Sequence, residues 1–442
     1  MMNNMRVLKR VLAGLLAVLI TTTAFFWVIP YVATNVDRNT YSQLSIDLIP
    51  EHVYQDMYVG DLNSDQLDDV VLTGFQSLQI AMQNQSGEFQ LSTFLDARET
   101  YGGLVVTDLD GDATPDICCR NNTSSFVVLY NDGSADFTNR SFYSVDSAQY
   151  IRSLFPFHLE DENRTDIGLS LSGDDYRICL YSNNGHGDFS LNLTISCSSI
   201  PVAVTGVDLD QNGRGEIAML HNDGNFTVVS SVYPSNASLF INIGQWIGYI
   251  DNAWILPVDL DDDSTKDFLV VVNDGPRSSR IVFLRTSATG FSGSPVVWSF
   301  ASAFLGASLA DLDNDGDSDF IFTQLSGVTT VFENDQNGIP NRHMILPSQS
   351  LPHSPTTMRT NLSEYPSVAV INQVDEYLVD YNHMEITVVS RETGVLAESI
   401  WFASQFMHNP ILLTGRVASA VTGIALIIIV VKLLSLTKRP DS

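Results

Sequence analysis

The sequence predicts an all-β fold: a seven-bladed β-propeller of four-stranded blades, with a hydrophobic membrane segment at each end of the chain. Three observations predict it. An acidic nine-residue pattern recurs six times, starting at Asp61, Asp108, His158, Asp208, Asp259 and Asp311. Short β-branched and aromatic runs flank each copy, and no sustained helical periodicity interrupts residues 40–400. Apolar runs lie near both termini, at Val11–Val32 and Val417–Leu436.

The repeat comes first because it sets the architecture. Its starts step by 47, 50, 50, 51 and 52 residues, a period at which each repeat is one supersecondary unit. Before each loop stands a short apolar run such as Leu104-Val105-Val106 or Ala307-Ser308-Leu309. After it comes a second, such as Asp267–Val272 or Asp319–Phe322, and then a third, such as Phe126–Tyr130, Ile178–Tyr181 or Ile281–Leu284. These runs have the length and β-branched content of buried strands. Turn signals follow: Asn131-Asp132-Gly133, Asn183-Asn184-Gly185 and, one strand earlier in its unit, Asn222-Asp223-Gly224. Asn, Asp and Gly tolerate the positive φ that hairpin turns need. A fourth strand, such as Phe189–Leu193, ends the unit. Four short strands per repeat make a propeller blade. Pro366–Trp401 reads as a seventh blade without an acidic loop, closed by Tyr41–Ile49.

Within each loop, oxygen-bearing side chains fall at positions 1, 3, 5 and 9, an alternation that suits a hard cation. The candidate ligands are Asp61, Asn63, Asp65 and Asp69; Asp108, Asp110, Asp112 and Asp116; Asp208, Asp210, Asn212 and Glu216; Asp259, Asp261, Asp263 and Asp267; Asp311, Asp313, Asp315 and Asp319. The third copy is degenerate, with His158, Glu160, Glu162 and Asp166. Imidazole is a poor calcium ligand and two long carboxylates crowd a short turn, so this loop is expected to hold metal weakly or not at all. Calcium takes six to eight oxygens in flexible geometry, whereas magnesium demands a near-ideal octahedron. Several Ca2+ ions are therefore the expected cofactors. The five good loops carry 18 of the acidic side chains behind a net charge of −29. Without a cation, like charges this close cost stability or take up protons.

The Asp-x-Asp-x-Asp-Gly-x-x-Asp loop, the strand after it and the Asn-Asp-Gly turn together resemble the FG-GAP/VCBS repeat family, the propeller repeats at the N-terminus of integrin alpha chains. The resemblance covers roughly residues 50–345. It implies calcium at the loops starting at Asp61, Asp108, Asp208, Asp259 and Asp311, and the His158 copy departs from the pattern. The layout of propeller, C-terminal span and short basic tail is also similar to that of T-cell immunomodulatory protein relatives.

The first apolar run, residues 11–33, follows Arg6, Lys9 and Arg10 and fits a signal anchor as well as a cleavable signal peptide. The second, residues 417–436, precedes Lys438 and Arg439. By the positive-inside rule, residues 1–10 and 437–442 are expected in the cytosol and the ectodomain, about 40–405, outside or in the lumen. Nine sequons agree with that side: Asn84, Asn121, Asn122, Asn139, Asn163, Asn192, Asn225, Asn236 and Asn361. The expected partners are thus a membrane crossed by one or two spans, N-glycans and another protein. An acidic surface argues against nucleic acid.

Four cysteines are few for a secreted chain. Cys118 and Cys119 are adjacent on a strand and face opposite sides. Cys179 and Cys197 flank one hairpin, where pairing and separate core roles are alternatives.

No nucleophile elbow, zinc-protease motif or phosphate loop appears in the sequence. Asp108-Leu109-Asp110-Gly111-Asp112 superficially matches an aspartate-nucleophile phosphatase loop, but that chemistry needs one loop in an alternating strand–helix fold. The expected function is non-enzymatic: a membrane-anchored, calcium-binding propeller for adhesion or recognition at the cell surface. A luminal scaffold of a secretory-pathway complex is the alternative. An enzyme acting on glycans or phosphoesters ranks last.

Overall fold

The computed structural model describes most of residues 41–391. It leaves undescribed, among others, residues 1–40, 94–101, 160–163, 231–236, 335–341, 360–366, 375–382 and 392–442, together with Asp210 and Asp313. Residues Gln43–Ser390 form one compact unit.

The described chain holds 28 strands. Strand β1 is Tyr41–Asp47. Blade 1 contains β2 (Val53–Gly60), β3 (Asp69–Phe75), β4 (Ser77–Gln83) and β5 (Phe89–Thr93). Blade 2 contains β6 (Gly102–Thr107), β7 (Asp116–Asn122), β8 (Ser125–Tyr130) and β9 (Asn139–Ser144). Blade 3 contains β10 (Gln149–Phe157), β11 (Asp166–Gly173), β12 (Tyr176–Asn183) and β13 (Phe189–Cys197). Blade 4 contains β14 (Pro201–Val207), β15 (Glu216–His221), β16 (Asn225–Ser230) and β17 (Ala237–Asn242). Blade 5 contains β18 (Asn252–Val258), β19 (Asp267–Gly275), β20 (Ser278–Ser287) and β21 (Gly290–Phe300). Blade 6 contains β22 (Phe304–Ala310), β23 (Asp319–Gln324), β24 (Val328–Glu333) and β25 (Arg342–Pro347). The last strands are β26 (Leu351–Met358), β27 (Ser367–Val374) and β28 (His383–Arg391).

Each blade is an antiparallel meander in chain order. The acidic loop joins its first strand to its second, so position 9 is always the first residue of the second strand. Second and third strands are buried along most of their length, as in β8 and β15. Fourth strands alternate toward solvent, as in β9 and β13. The difference follows from position. A middle strand is covered on both faces by neighbouring blades, and runs such as Phe268–Val272 supply apolar side chains to both.

The core is therefore a series of interfaces between successive blades. Ile117, Cys119 and Leu129 of blade 2 pack with Val71, Leu78 and Ile80 of blade 1. Cys118, Phe126 and Val128 turn the other way, onto Ile167, Leu169 and Cys179 of blade 3. The two adjacent cysteines thus face opposite sides, as alternation along a strand requires. Phe226 of blade 4 meets Phe268 of blade 5, and Phe283 of blade 5 meets Phe320 of blade 6. Each fully buried Phe contributes about 1.5–3 kcal/mol.

The fold class expected from sequence is corrected in two respects. Six blades, not seven, are built of four successive strands around a closing acid. Strands β26, β27 and β28 join β1, from the other end of the described chain, in a further sheet ordered β1-β28-β27-β26. That sheet has no acidic loop. Secondly, no helix among the described residues is long and apolar enough to cross a membrane. The apolar runs 11–33 and 417–436 lie outside those residues. Pairing of Cys179 with Cys197 is also set aside. Register places Cys197 opposite Tyr176 and Cys179 opposite Thr194, and all four cysteines are free.

Candidate metal centre

The loops are held first by their own backbone. In blade 2 the Asp108 carboxylate accepts from Gly111 N–H at 2.7 Å through Oδ1 and from Ala113 N–H at 2.9 Å through Oδ2. Asp112 Oδ1 accepts from Thr114 N–H at 2.8 Å. The bond from position 6 to position 1 recurs in blades 1, 4, 5 and 6, donated by Gln66, Gly213, Ser264 and Gly316. Asp65, Asn212, Asp263 and Asp315, at position 5, likewise accept from the N–H two residues on. Closing so tight a turn drives position 6 to positive φ. Gly213 and Gly316 take it without strain, while Gln66, Ala113 and Ser264 adopt it at 71°, 71° and 67°.

Position 9 does a different job. Asp69, Asp116, Asp166, Asp267 and Asp319 are buried. One oxygen of each accepts from the N–H of the position-2 leucine: Leu62, Leu109, Leu159, Leu260 and Leu312, at 2.7–3.2 Å. The other accepts from the N–H just beyond or at the end of the third strand: Gln83, Asn131, Asn183, Thr286 and Asn334, at 2.6–2.9 Å. Glu216 makes the first bond in blade 4, to Leu209 at 2.9 Å. The closing acid therefore ties loop to sheet whatever else it binds.

In two interfaces the tie continues into the neighbouring blade. Asn131 Nδ2 donates to the Leu62 carbonyl of blade 1 at 2.7 Å, and Asn183 Nδ2 to the Leu109 carbonyl of blade 2 at 2.6 Å. Each position-2 leucine there bonds its own blade through N–H and the next through C=O. The sequence reading missed both devices. Its signals were present: leucine at position 2 of all six loops, and asparagine at the same place in three blades, Asn131, Asn183 and Asn334.

Burial sets the electrostatics. It pushes the Asp116 carboxyl up to about 7, and Asp69 and Asp267 to about 6, against the two N–H donors that favour the anion. Asp110 is also raised, by burial and then by Asp112. Exposed Asp263 goes the other way, lowered by the hydroxyl and N–H of Thr265.

The expected ligands converge most clearly in two loops. Asp108, Asp110 and Asp112 bring one oxygen each within 4.8 Å of one another, as do Asp259, Asp261 and Asp267. In the second group Asp261 Oδ1 is buried without a hydrogen-bond partner, while its Oδ2 lies 3.8 Å from Arg285. A buried, unpaired carboxylate oxygen among other carboxylates fits a hard cation. Elsewhere, Asp61 and Asp311 bind loop N–H groups, Asn63 Nδ2 donates to Asp65 at 3.1 Å, and Asp208 accepts from Asn212 and Gly213. Asp210 and Asp313 lie outside the described residues. In the degenerate loop His158 Nδ1 engages the Arg164 carbonyl at 2.9 Å, while Glu160 and Glu162 lie outside the described residues.

A cavity of about 510 Å³ opens between the innermost strands of blades 2, 3 and 4, lined by residues including Val105, Thr107, Phe157, His158, Val207 and Asp208.

Comparison with known proteins agrees with this architecture. Residues 61–119 match the FG-GAP-like repeat, running from the first acidic loop into the second strand of blade 2. No curated protein matches the chain in sequence. Among solved structures, two crystals of BBS1N in complex with ARL6DN, one soaked with mercury and one with lead, are similar in fold. Their TM-scores are 0.53 and 0.52, at 11% and 12% identity, and each match covers 79% of this chain and 98% of that chain. At this identity the likeness concerns the fold alone. None of these matches bears on the likeness of layout to T-cell immunomodulatory protein relatives.

Proposed function

From an FG-GAP-type propeller as premise, we propose a non-enzymatic protein-binding module that faces the cell exterior or secretory lumen, its blade loops fastened by calcium. The observation that carries this reading is the three-carboxylate group of blade 5, with Asp261 Oδ1 buried and unpaired inside it. Asp259, Asp261, Asp263 and Asp267 would hold one ion, and Asp108, Asp110, Asp112 and Asp116 another. The remaining full loops would hold theirs through Asp61, Asn63, Asp65 and Asp69; Asp208, Asp210, Asn212 and Glu216; and Asp311, Asp313, Asp315 and Asp319. Calcium here supplies charge to loops that otherwise repel, and its binding energy becomes folding energy.

Binding rather than turnover is supported by where the chemistry sits. The acidic side chains accept backbone N–H groups of their own loop and of residues at or just beyond the end of the adjoining third strand. His158, one of the residues lining the cavity, has its ring engaged with the Arg164 carbonyl. FG-GAP propellers are in general non-enzymatic, and the two similar structures are of a complex with another protein. Recognition by such a fold uses loops on a rigid scaffold. The nine sequons support the luminal or exterior side.

The test has two arms. Adding calcium to the chelated chain should raise its melting temperature, and Asp261→Asn should remove part of the gain; an unchanged curve removes calcium from the reading. Surface labelling of intact cells separates an exterior module, which labels, from a luminal scaffold, which does not.

A further inference from the structure

We propose that Asn192 is an N-glycan acceptor, and that its glycan caps the outer edge of blade 3 against strand pairing. The inference rests on the luminal or exterior placement above.

Strand β13 is the last strand of its sheet, so a row of its backbone N–H and C=O groups faces outward. Such an edge templates pairing with another chain unless charge, proline or distortion blunts it. The sequence Phe-Ser-Leu-Asn-Leu-Thr-Ile-Ser-Cys over nine residues contains neither charge nor proline. Leu191 on it is 54% exposed. Most other outer strands differ, although β17, Ala-Ser-Leu-Phe-Ile-Asn, is as free of charge and proline over its six residues. Strand β9 carries Arg140, β21 carries Pro295 and glycines at positive φ, and β25 carries Arg342 and Pro347. Strand β5 has only five residues. Blade 3 has the long, bare edge.

What that edge has instead is a sequon at its centre, Asn192-Leu193-Thr194. Tyr181 pairs with Leu191 and Leu180 with Leu193, so Asn192 is the extra residue of a β-bulge with no partner across the ladder. The bulge re-aims this one side chain and interrupts the edge only here, leaving regular ladder at Phe189–Leu191 and Leu193–Cys197 on either side. Asn192 and Thr194 are both exposed. Local sequence, register and exposure thus converge on one amide. The fold refuses another sequon: Asn121 is 4% exposed in the second strand of blade 2, and its Oδ1 accepts from Ser125 Oγ at 2.5 Å. A sugar on Asn121 has no room in that interface.

The chemistry needs a donor of the lipid-linked oligosaccharyl diphosphate class, supplied by the secretory lumen. Nδ2 of Asn192 displaces the diphosphate from the anomeric carbon. One C–N bond forms, one C–O bond breaks, the amide gives up a proton and the lipid diphosphate leaves.

The experiment expresses the full chain in a glycosylating eukaryotic cell and maps occupied asparagines by mass spectrometry after enzymatic release in heavy-oxygen water. Asn192 should be converted, with exposed Asn84 and Asn139, and Asn121 should stay bare. If Asn84 or Asn139 is occupied and Asn192 is not, this inference fails and the luminal reading stands. If every sequon is bare, the luminal reading fails and takes the inference with it. Thr194→Ala should lose one glycan and raise cross-linked self-association several-fold. Asn192→Gln should do the same, while Thr194→Ser keeps the sequon and stays like the parent. Asn139→Gln, on the edge that keeps Arg140, should lose its glycan without self-association. Glycan loss at Asn192 with no change in self-association would overturn the capping role.

Discussion

The loops of blades 2 and 3 end alike and differ in between. Asp116 and Asp166 are both buried, and each accepts from a position-2 leucine and from an asparagine at or just beyond the end of the third strand, at 2.7–2.8 Å throughout. Yet blade 2 offers Asp108, Asp110 and Asp112 in one cluster, whereas blade 3 begins with His158 tied to the Arg164 carbonyl. Blade 3 keeps the closing acid although its loop has lost the pattern of a cation site. The closing carboxylate thus answers to the fold, and positions 1, 3 and 5 answer to the ion. The four ligand positions of a loop, alike on paper, divide into two chemical roles.

The largest effect that tests this division is chelation. Each occupied site contributes about 3 kcal/mol when free calcium is roughly 100-fold above its Kd, so removing calcium should lower the melting temperature by several sites' worth. Asp108→Asn with Asp112→Asn should abolish one site's share. His158→Ala should leave the calcium response intact; a response lost with His158 would erase the distinction between the two blades.

Next in size are the closing acids. Asp116→Ala and Asp166→Ala each strand two buried N–H groups, at a cost of about 4 kcal/mol. Measured by denaturant unfolding in chelator, the two losses should match. In calcium only Asp116→Ala should lose more. A tolerated Asp166→Ala would show that the buried bonds count for little.

Smaller still are the asparagines that cross between blades. Asn183→Ala removes the bonds to the Leu109 and Thr165 carbonyls and should cost about 2 kcal/mol. Thr286→Ala, whose hydroxyl reaches only Lys266 of its own blade, should cost about 1 kcal/mol. Equal losses would mean the inter-blade reach adds nothing.

The pH dependence sharpens the same contrast. In the folded chain Asp116 titrates near 7, above its ordinary 3.8, because burial disfavours the anion. The folded state therefore holds this proton more tightly. Its contribution is complete below 3.8 and is lost as pH rises through about 7. In chelator the melting temperature should fall between about pH 4 and 7, and calcium should flatten that slope. The smallest effect is conformational: Ala113→Gly relieves a residue at φ 71° and should add about 0.5–1 kcal/mol.

Much of this was legible beforehand. Strands such as Phe126–Tyr130 and Asp267–Val272 are apolar on both faces, and only a covered sheet makes sense of that. The opposed facing of Cys118 and Cys119 followed from strand alternation alone. For Cys179 and Cys197 the sequence left pairing and separate core roles open, and the ladder decided between them by setting Cys179 opposite Thr194 and Cys197 opposite Tyr176. Nor was the split of the acidic residues. Asp69 and Asp61 look alike in the sequence, and only one of them is buried.

By itself the sequence determined the repeat, the strand runs and the place of each acidic loop, because these are local patterns of period and residue type. Tertiary structure alone decided which oxygens are free for an ion and which are bound to the sheet. The reason is distance along the chain. Asn131 reaches Leu62 from 69 residues away, and Asn183 reaches Leu109 from 74. A hydrogen bond between blades exists only once both blades have folded and packed.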